Sequence, residues 1–566
     1  MILPFSCVVV ALASSLASAD GRLVLLDAME RELARSVQKL SLGEHRPPYF
    51  VSYQLKDVRH VELSSRYGAL FDDESYRNRS LFVDVRVGDY SFDNSQEDEG
   101  EFSFSLKPVS YQARKEGPLD DDAMALRTAL WLATDEQYKG ALANYLKKKG
   151  DEVYNVADPK RPSSFSREKP ERFVEPAPTF SYDKARWSQV VRALSARLKG
   201  IPEIFDSEVR LAATRETRLF VSSEGGRIVT ESLLYGIHIV ALTRSDDGQL
   251  LEDSRDFYSP TEAGLPSEAV LQNAAQELTQ ALLAIRKAPA IDPYTGPAIL
   301  EARAAGVLFH EAVGHRLEGN RQAGEQEGKT FKGQVGQRLL PDFISLVDDP
   351  TLKSWESTPL NGFYRFDDEG VAANRAQLIR KGVLQGFLLS RRPVEGFRQS
   401  NGHGRAQGNR RPIARMANLL VYSEKQVDDT TLKKMLVAEA KRQGKPFGLI
   451  IRDITGGNTN TSNYGYQAFK GIPRLVYRVD VRDGQETLVR GVEIVGTPLA
   501  SMNRILATGK TSGVFNGYCG AESGNVPVST VAPAVLLQEI ELQRSVEGKD
   551  RPPILPNPGL SEAAAG

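Results

Sequence analysis

The segment Phe309-His310-Glu311-Ala312-Val313-Gly314-His315 sets a carboxylate directly after one imidazole, with a second imidazole five residues after the first. The chain has only six histidines, and two of them are spent here. Imidazole nitrogen is a common zinc ligand, and a glutamate beside it can take the proton of an attacking water, which is the chemistry of metal-assisted hydrolysis. The spacing needs a physical account. At ~100° per residue, helix positions four apart stand ~40° apart, whereas positions five apart stand ~140° apart. Two imidazoles on a regular helix at that angle do not reach one ion with bonds of ~2.1 Å. A π-bulge adds a residue to one turn and brings positions five apart onto a common face, and Gly314 is where such a turn meets least resistance. The alternative is two unrelated histidines on opposite faces, each hydrogen-bonded in its own place.

Catalytic zinc takes three protein ligands and keeps a fourth position open. Glu318, Asp348, Asp349, His403 and Cys519 are the candidates for the third. Glu318 falls at the expected helix end, Asp348-Asp349-Pro350 reads as a turn, and His403 lies in the flexible run Asn401-Gly402-His403-Gly404. Cys519 ranks first, because the glycines of Gly517-Tyr518-Cys519-Gly520 permit close backbone approach and a metal-bound thiolate escapes oxidation. Oxidation matters because the N-terminus reads as a secretory signal. Residues 1–19 carry no charged side chain, an apolar stretch from Val8 to Leu16 and the small triplet Ala17-Ser18-Ala19. Cys7 would leave with that signal, so Cys519 would be the one thiol of the mature chain. Export to the bacterial periplasm is the expectation, and the cytoplasm if residues 1–19 are not a signal. No later stretch approaches the ~20 apolar residues of a membrane span.

The elements that must position these side chains read as α+β. At 566 residues, 41% hydrophobic and 26% charged, the chain is long enough for several folded units. Its 72 basic and 73 acidic residues argue against a sequence-independent grip on nucleic acid. The spacing of Leu26, Met29, Leu33, Val37 and Leu40 predicts a helix, and strands follow over 49–55 and 81–87. The Pro- and Ser-rich stretch 158–178 is expected to be a connector. Helices are predicted over 183–199, 267–286 and 301–318, the last stopping at Gly319-Asn320. Hairpin turns are predicted at Glu224-Gly225-Gly226, Asp246-Asp247-Gly248 and Asp483-Gly484, and the remainder of the chain as mostly strand and turn. The domain expectation is therefore an N-terminal α+β domain over 20–157, the connector 158–178, a central α+β subdomain over 179–293, and a strand-rich catalytic domain over 294–566 that bears the metal-binding helix.

Several separated motifs appear in one order: His310-Glu311-Ala312-Val313-Gly314-His315 with Leu317-Glu318-Gly319, then Phe366-Asp367-Asp368-Glu369-Gly370-Val371, Arg415-Met416-Ala417-Asn418, and Cys519-Gly520 leading into Val526-Pro527-Val528. Together they resemble the TldD/PmbA metallopeptidases over roughly residues 295 to 545. The resemblance implies one zinc per chain held by His310, His315 and Cys519, with Glu311 as general base. It also implies unfolded or flexible peptides as substrate, and a dimer of like chains or with a related non-catalytic subunit. Arg415, Asn418, Gly456 and Gly457 are candidates for substrate contact. Two alternatives stand beside this reading. One is a deformylase-like hydrolase of small amides, although there the cysteine precedes the histidine motif. The other is a peptide-binding subunit with a structural metal, against which the intact Glu311 argues.

Overall fold

The computed structural model describes residues 20–558 apart from 46, 96–114, 155–160, 324–327, 460–468, 497–501, 546–549, 552 and 556. The expected signal, residues 1–19, lies outside the described residues, as does the start of the expected connector.

The first half of the chain builds one long antiparallel sheet. Strands β1 (Phe50–Arg66), β2 (Ala69–Arg86), β3 (Arg172–Val174), β4 (Asp206–Ser222), β5 (Arg227–Arg244) and β6 (Leu250–Ser259) pair in the order β2-β1-β4-β5, with β6 and the short parallel β3 both on β5. Strands on both sides of residues 158–178 thus share one sheet, and that stretch itself contributes β3. Side chains alternate between faces along each strand. Val51, Tyr53, Leu55 and Leu63 of β1 point to the same face as Val209, Leu211, Ala213, Leu219 and Val221 of β4.

Four helices cover that face in two pairs. Helices α1 (Gly21–Lys39) and α2 (Ala123–Tyr154) pack at one end, and α3 (Lys184–Lys199) and α4 (Glu268–Lys287) at the other. Each pair meets the sheet through an apolar stripe, as in α3, where Trp187, Val190, Val191, Leu194 and Leu198 are buried. Helices α1 and α3 are capped at their starts, Asp20 accepting from the amide of Arg22 and Asp183 from that of Arg186. The opposite face of the sheet meets the second half of the chain. Lys56 Nζ and Arg218 Nη1 each lie 2.8 Å from Asp368 Oδ1, and Gln54 donates to the Asp368 carbonyl at 2.8 Å. The Phe366–Val371 motif is therefore a latch between the two halves.

The second half centres on a twelve-stranded mixed sheet. Strand β7 (Tyr294–Leu300) runs parallel to the strand Phe447–Thr459 and antiparallel to Gly524–Arg544, which forms a long hairpin with Ile505–Ala521. Helix α5 (Ala302–Phe309) leaves β7 and packs on that hairpin, inside the largest apolar cluster of the molecule. Helix α6 (Asp429–Arg442) covers the other face, where Leu432 and Leu436 meet Ile299, Ile450 and Leu536. The α+β class stands, with the strand-rich half carrying the histidine helix. No helix among the described residues is long and apolar enough to cross a membrane.

Candidate metal centre

Regular helix ends at Phe309. Residues His310–Gly314 form a π turn and His315–Leu317 a 3₁₀ turn, so the expected helix over 301–318 is regular only in its first half. The wide turn is what the five-residue spacing demands, since it brings both imidazoles to one side, with ring centroids 5.0 Å apart. It also frees backbone carbonyls. The buried Arg316 guanidinium donates to those of Glu311 and Ala312 at 3.2 and 2.9 Å, which keeps the wide turn satisfied. Gly314 is required for a reason other than backbone freedom. Its φ is an ordinary −55°, but a Cβ there would stand 2.2 Å from Met416 Sδ.

Cys519 arrives from the hairpin strand Ile505–Ala521. Its Sγ lies 3.2 Å from His310 Nε2 and 3.5 Å from His315 Nε2. The three donor atoms fall within 4.8 Å of one another, and His310, His315 and Cys519 are all less than 9% exposed. A tetrahedral zinc with bonds of ~2.1 Å to nitrogen and ~2.3 Å to sulfur holds N and S about 3.6 Å apart, so the donor set and its spacing fit that ion. Glu311, on the same turn, places Oε2 3.9 Å from His315 Nε2.

A buried carboxylate supports the triad from behind. Glu318 Oε1 stands 3.3 Å from His315 Nδ1, which leaves Nε2 of that ring turned toward Cys519. Burial alone would raise the Glu318 pKa, but His315, Arg321 and Arg415 outweigh it and hold the carboxyl at about 2. Burial likewise opposes charge on His315 and Cys519. For His315 the Glu318 carboxylate and the Cys519 sulfur prevail and raise its pKa well above the ordinary value. For Cys519 the two imidazoles prevail and lower its pKa well below that of a free thiol, favouring the thiolate that binds metals.

The other sequence candidates lie elsewhere. His403 and Asp348 are fully buried and face each other at 3.3 Å, and Asp348 accepts from the amides of Ala417 and Asn418. Asp349 closes its own turn on Thr351. Arg415 is fully buried. It donates to the Cys519 carbonyl, to Ser523 Oγ and to the Gly524 carbonyl, and its Nε lies 3.6 Å from Glu318, so it ties the cysteine strand to the carboxylate behind His315. Asn418, also fully buried, donates to the carbonyls of Asp349 and Leu352. Both side chains are engaged by the chain itself. Gly456 and Gly457 lie in the strand Phe447–Thr459, with open space beside the Gly456 Cα. Sequence reasoning missed Arg321 and weighed Glu318 as a ligand, as the partner of a base such as Arg316, or as a solvent-facing residue. Position three past a ligand histidine was the available signal for it.

Residues 293–544 match the model of the PmbA/TldA metallopeptidase C-terminal domain. Those residues form a domain of the PmbA/TldD family. The chain is 27% identical to a metalloprotease of Methanocaldococcus jannaschii over 55% of this chain and 64% of that protein. It is 25% identical to a zinc metalloprotease TldD homolog of Saccharolobus solfataricus over 44% of this chain and 51% of that protein. The matched region thus spans about half to under two thirds of these relatives. Two solved structures share the fold across nearly the whole described chain. TldE from Thermococcus kodakarensis has a TM-score of 0.60 at 14% identity, covering 91% of this chain and all of that one. A putative modulator of DNA gyrase from Thermotoga maritima has a TM-score of 0.60 at 15% identity, covering 91% of this chain and 99% of that one.

Proposed function

We propose that this chain is a zinc-dependent peptidase that hydrolyses unfolded or flexible polypeptides, with His310, His315 and Cys519 as metal ligands and Glu311 as general base. The observation that carries the reading is the buried triad of donor atoms with the Glu311 carboxylate on the same π turn. Zinc held there would polarise a scissile carbonyl and acidify a water molecule. Glu311 then has a defined task. Its Oε2 takes the proton of the attacking water, holds it while the carbonyl carbon becomes tetrahedral, and passes it to the departing amine. Glu318 keeps the His315 ring oriented, and Arg415 keeps the Cys519 strand in place. His310, Glu311 and His315 are each less than 9% exposed, which disfavours a folded protein surface as substrate and supports flexible peptides as the substrate class.

Export to the periplasm through a signal at residues 1–19, and a dimer with a second copy or with a related non-catalytic subunit, complete the proposal. The presence of Glu311 beside the ligands favours catalysis over a structural metal. The test is Glu311→Gln, which preserves shape and removes the base. It is expected to keep zinc while cleavage of a mixed flexible-peptide pool, read by mass spectrometry, falls about 10²- to 10⁴-fold. Undiminished cleavage by that variant would overturn the role of Glu311.

A further inference from the structure

Seven residues before His310, helix α5 carries Arg303. At 3.6 residues per turn a separation of seven returns to the same helix face, and at 1.5 Å per residue it lies ~10 Å along the axis. Arg303 therefore stands on the metal-facing side of the helix, two turns from the ligand. The neighbouring strand follows the same path. Ala302 touches Gly513 and Gly306 touches Phe515, while His310 reaches Cys519, so helix and strand run side by side toward the site.

The guanidinium is held from behind and open in front. Its Nε donates to Asp453 Oδ1 at 2.9 Å, and its plane lies over the Phe515 ring, 5.3 Å from the centroid. The Asp453 charge is shared, because Arg474 binds its other oxygen at 3.0 Å. Among the described residues neither terminal nitrogen of Arg303 makes a hydrogen bond. Its Nη2 forms a long ion pair, 3.9 Å, with Oδ2 of Asp256 on β6, whose Oδ1 is hydrogen-bonded to His238. The side chain remains 31% exposed. A guanidinium fixed through Nε and stacked on a ring, whose terminal nitrogens make no hydrogen bond among the described residues and one long ion pair, presents a planar fork that matches a carboxylate.

Resting on the peptidase reading, we propose that Arg303 forms a carboxylate-binding subsite between β6 and α5, so that the enzyme prefers peptides with a carboxylate about three residues from the scissile bond. The count follows from the ~10 Å axial separation of helix positions 303 and 310, set against the ~3.4 Å that an extended peptide advances per residue. The carboxylate can belong to an Asp or Glu side chain or to the peptide C-terminus.

The experiment measures binding, so it does not depend on turnover. Fluorescent decapeptides are titrated against zinc-loaded Glu311→Gln protein by anisotropy, with and without a second change, Arg303→Gln. One peptide carries a Glu and an amidated C-terminus, one has neutral side chains and a free C-terminus at matching distance, and one has neither carboxylate. A carboxylate peptide is expected to bind about 10- to 100-fold tighter than the neutral one, the worth of a charged hydrogen-bonded pair, and Arg303→Gln is expected to erase the difference. Whichever peptide shows the preference identifies its source. Arg303→Lys keeps the charge without the fork and is expected to retain part of it, and an unchanged zinc content shows that each variant is folded. No preference in the parent, or the same preference in Arg303→Gln, overturns the subsite and leaves the peptidase reading intact. Failure of the wild-type protein to cut any peptide strikes the peptidase reading instead.

Discussion

Around the triad, each side chain has an identifiable task. His310, His315 and Cys519 converge their donor atoms, Glu311 sets a carboxylate beside them, and Glu318 and Arg415 hold the pieces from behind. Gly314 shows how tightly the turn is packed. Replacing it with alanine forces Met416, itself fully buried, away from its place, because the new Cβ would meet Sδ at 2.2 Å. Gly314→Ala is expected to destabilise the protein by about 1–3 kcal/mol in urea unfolding, and adding Met416→Ala to recover part of that loss. An unaffected midpoint in the single variant would show that the turn has slack. The histidine pair and Glu311 were legible in the sequence because their types and spacing are rare together. The supporting residues were not, since an arginine or a glutamate in a sequence does not reveal whether it is fully buried, as Arg415 and Glu318 are.

Among the elements, the π turn is the feature most directly readable, because a five-residue spacing of ligands permits no regular helix. Helices α1, α3 and α4 were also readable from their apolar periodicity, and each bears a buried stripe. Helix α2 was not, for a physical reason. It exposes Met124, Trp131 and Leu146 on the side away from the sheet, and these blur the stripe formed by Leu126, Leu130, Tyr138 and Leu142. The latch segment gives a prediction at this scale. Burial and the neighbouring Asp367 push the Glu369 pKa up to about 8, so the fold favours its neutral form. The unfolded chain loses that proton near pH ~4.5, hence rising pH costs the folded state stability between roughly 4.5 and 8, with no further loss above. The melting temperature of the wild type is expected to fall across that window more than that of Glu369→Gln. Parallel curves would remove Glu369 from the latch electrostatics.

For the whole molecule, one half of the chain supplies a helix-backed sheet and the other a metal-bearing sheet, joined where Lys56 and Arg218 meet Asp368. The chemistry-bearing motifs all follow residue 294, and the family match begins at 293. The sharing of one sheet by strands on both sides of 158–178 was not legible, because pairing between β1 and β4 joins residues about 150 positions apart and leaves no local mark. The second half carries a site whose meaning depends on one ion. The most direct measurement is therefore zinc per chain in the purified mature protein, with Cys519→Ala beside it. About one zinc per chain, lost or much weakened in the variant, is expected of a three-ligand site. A wild-type chain that holds no zinc after anaerobic metal loading would contradict it and leave His310 and His315 as packed helix residues without this chemistry.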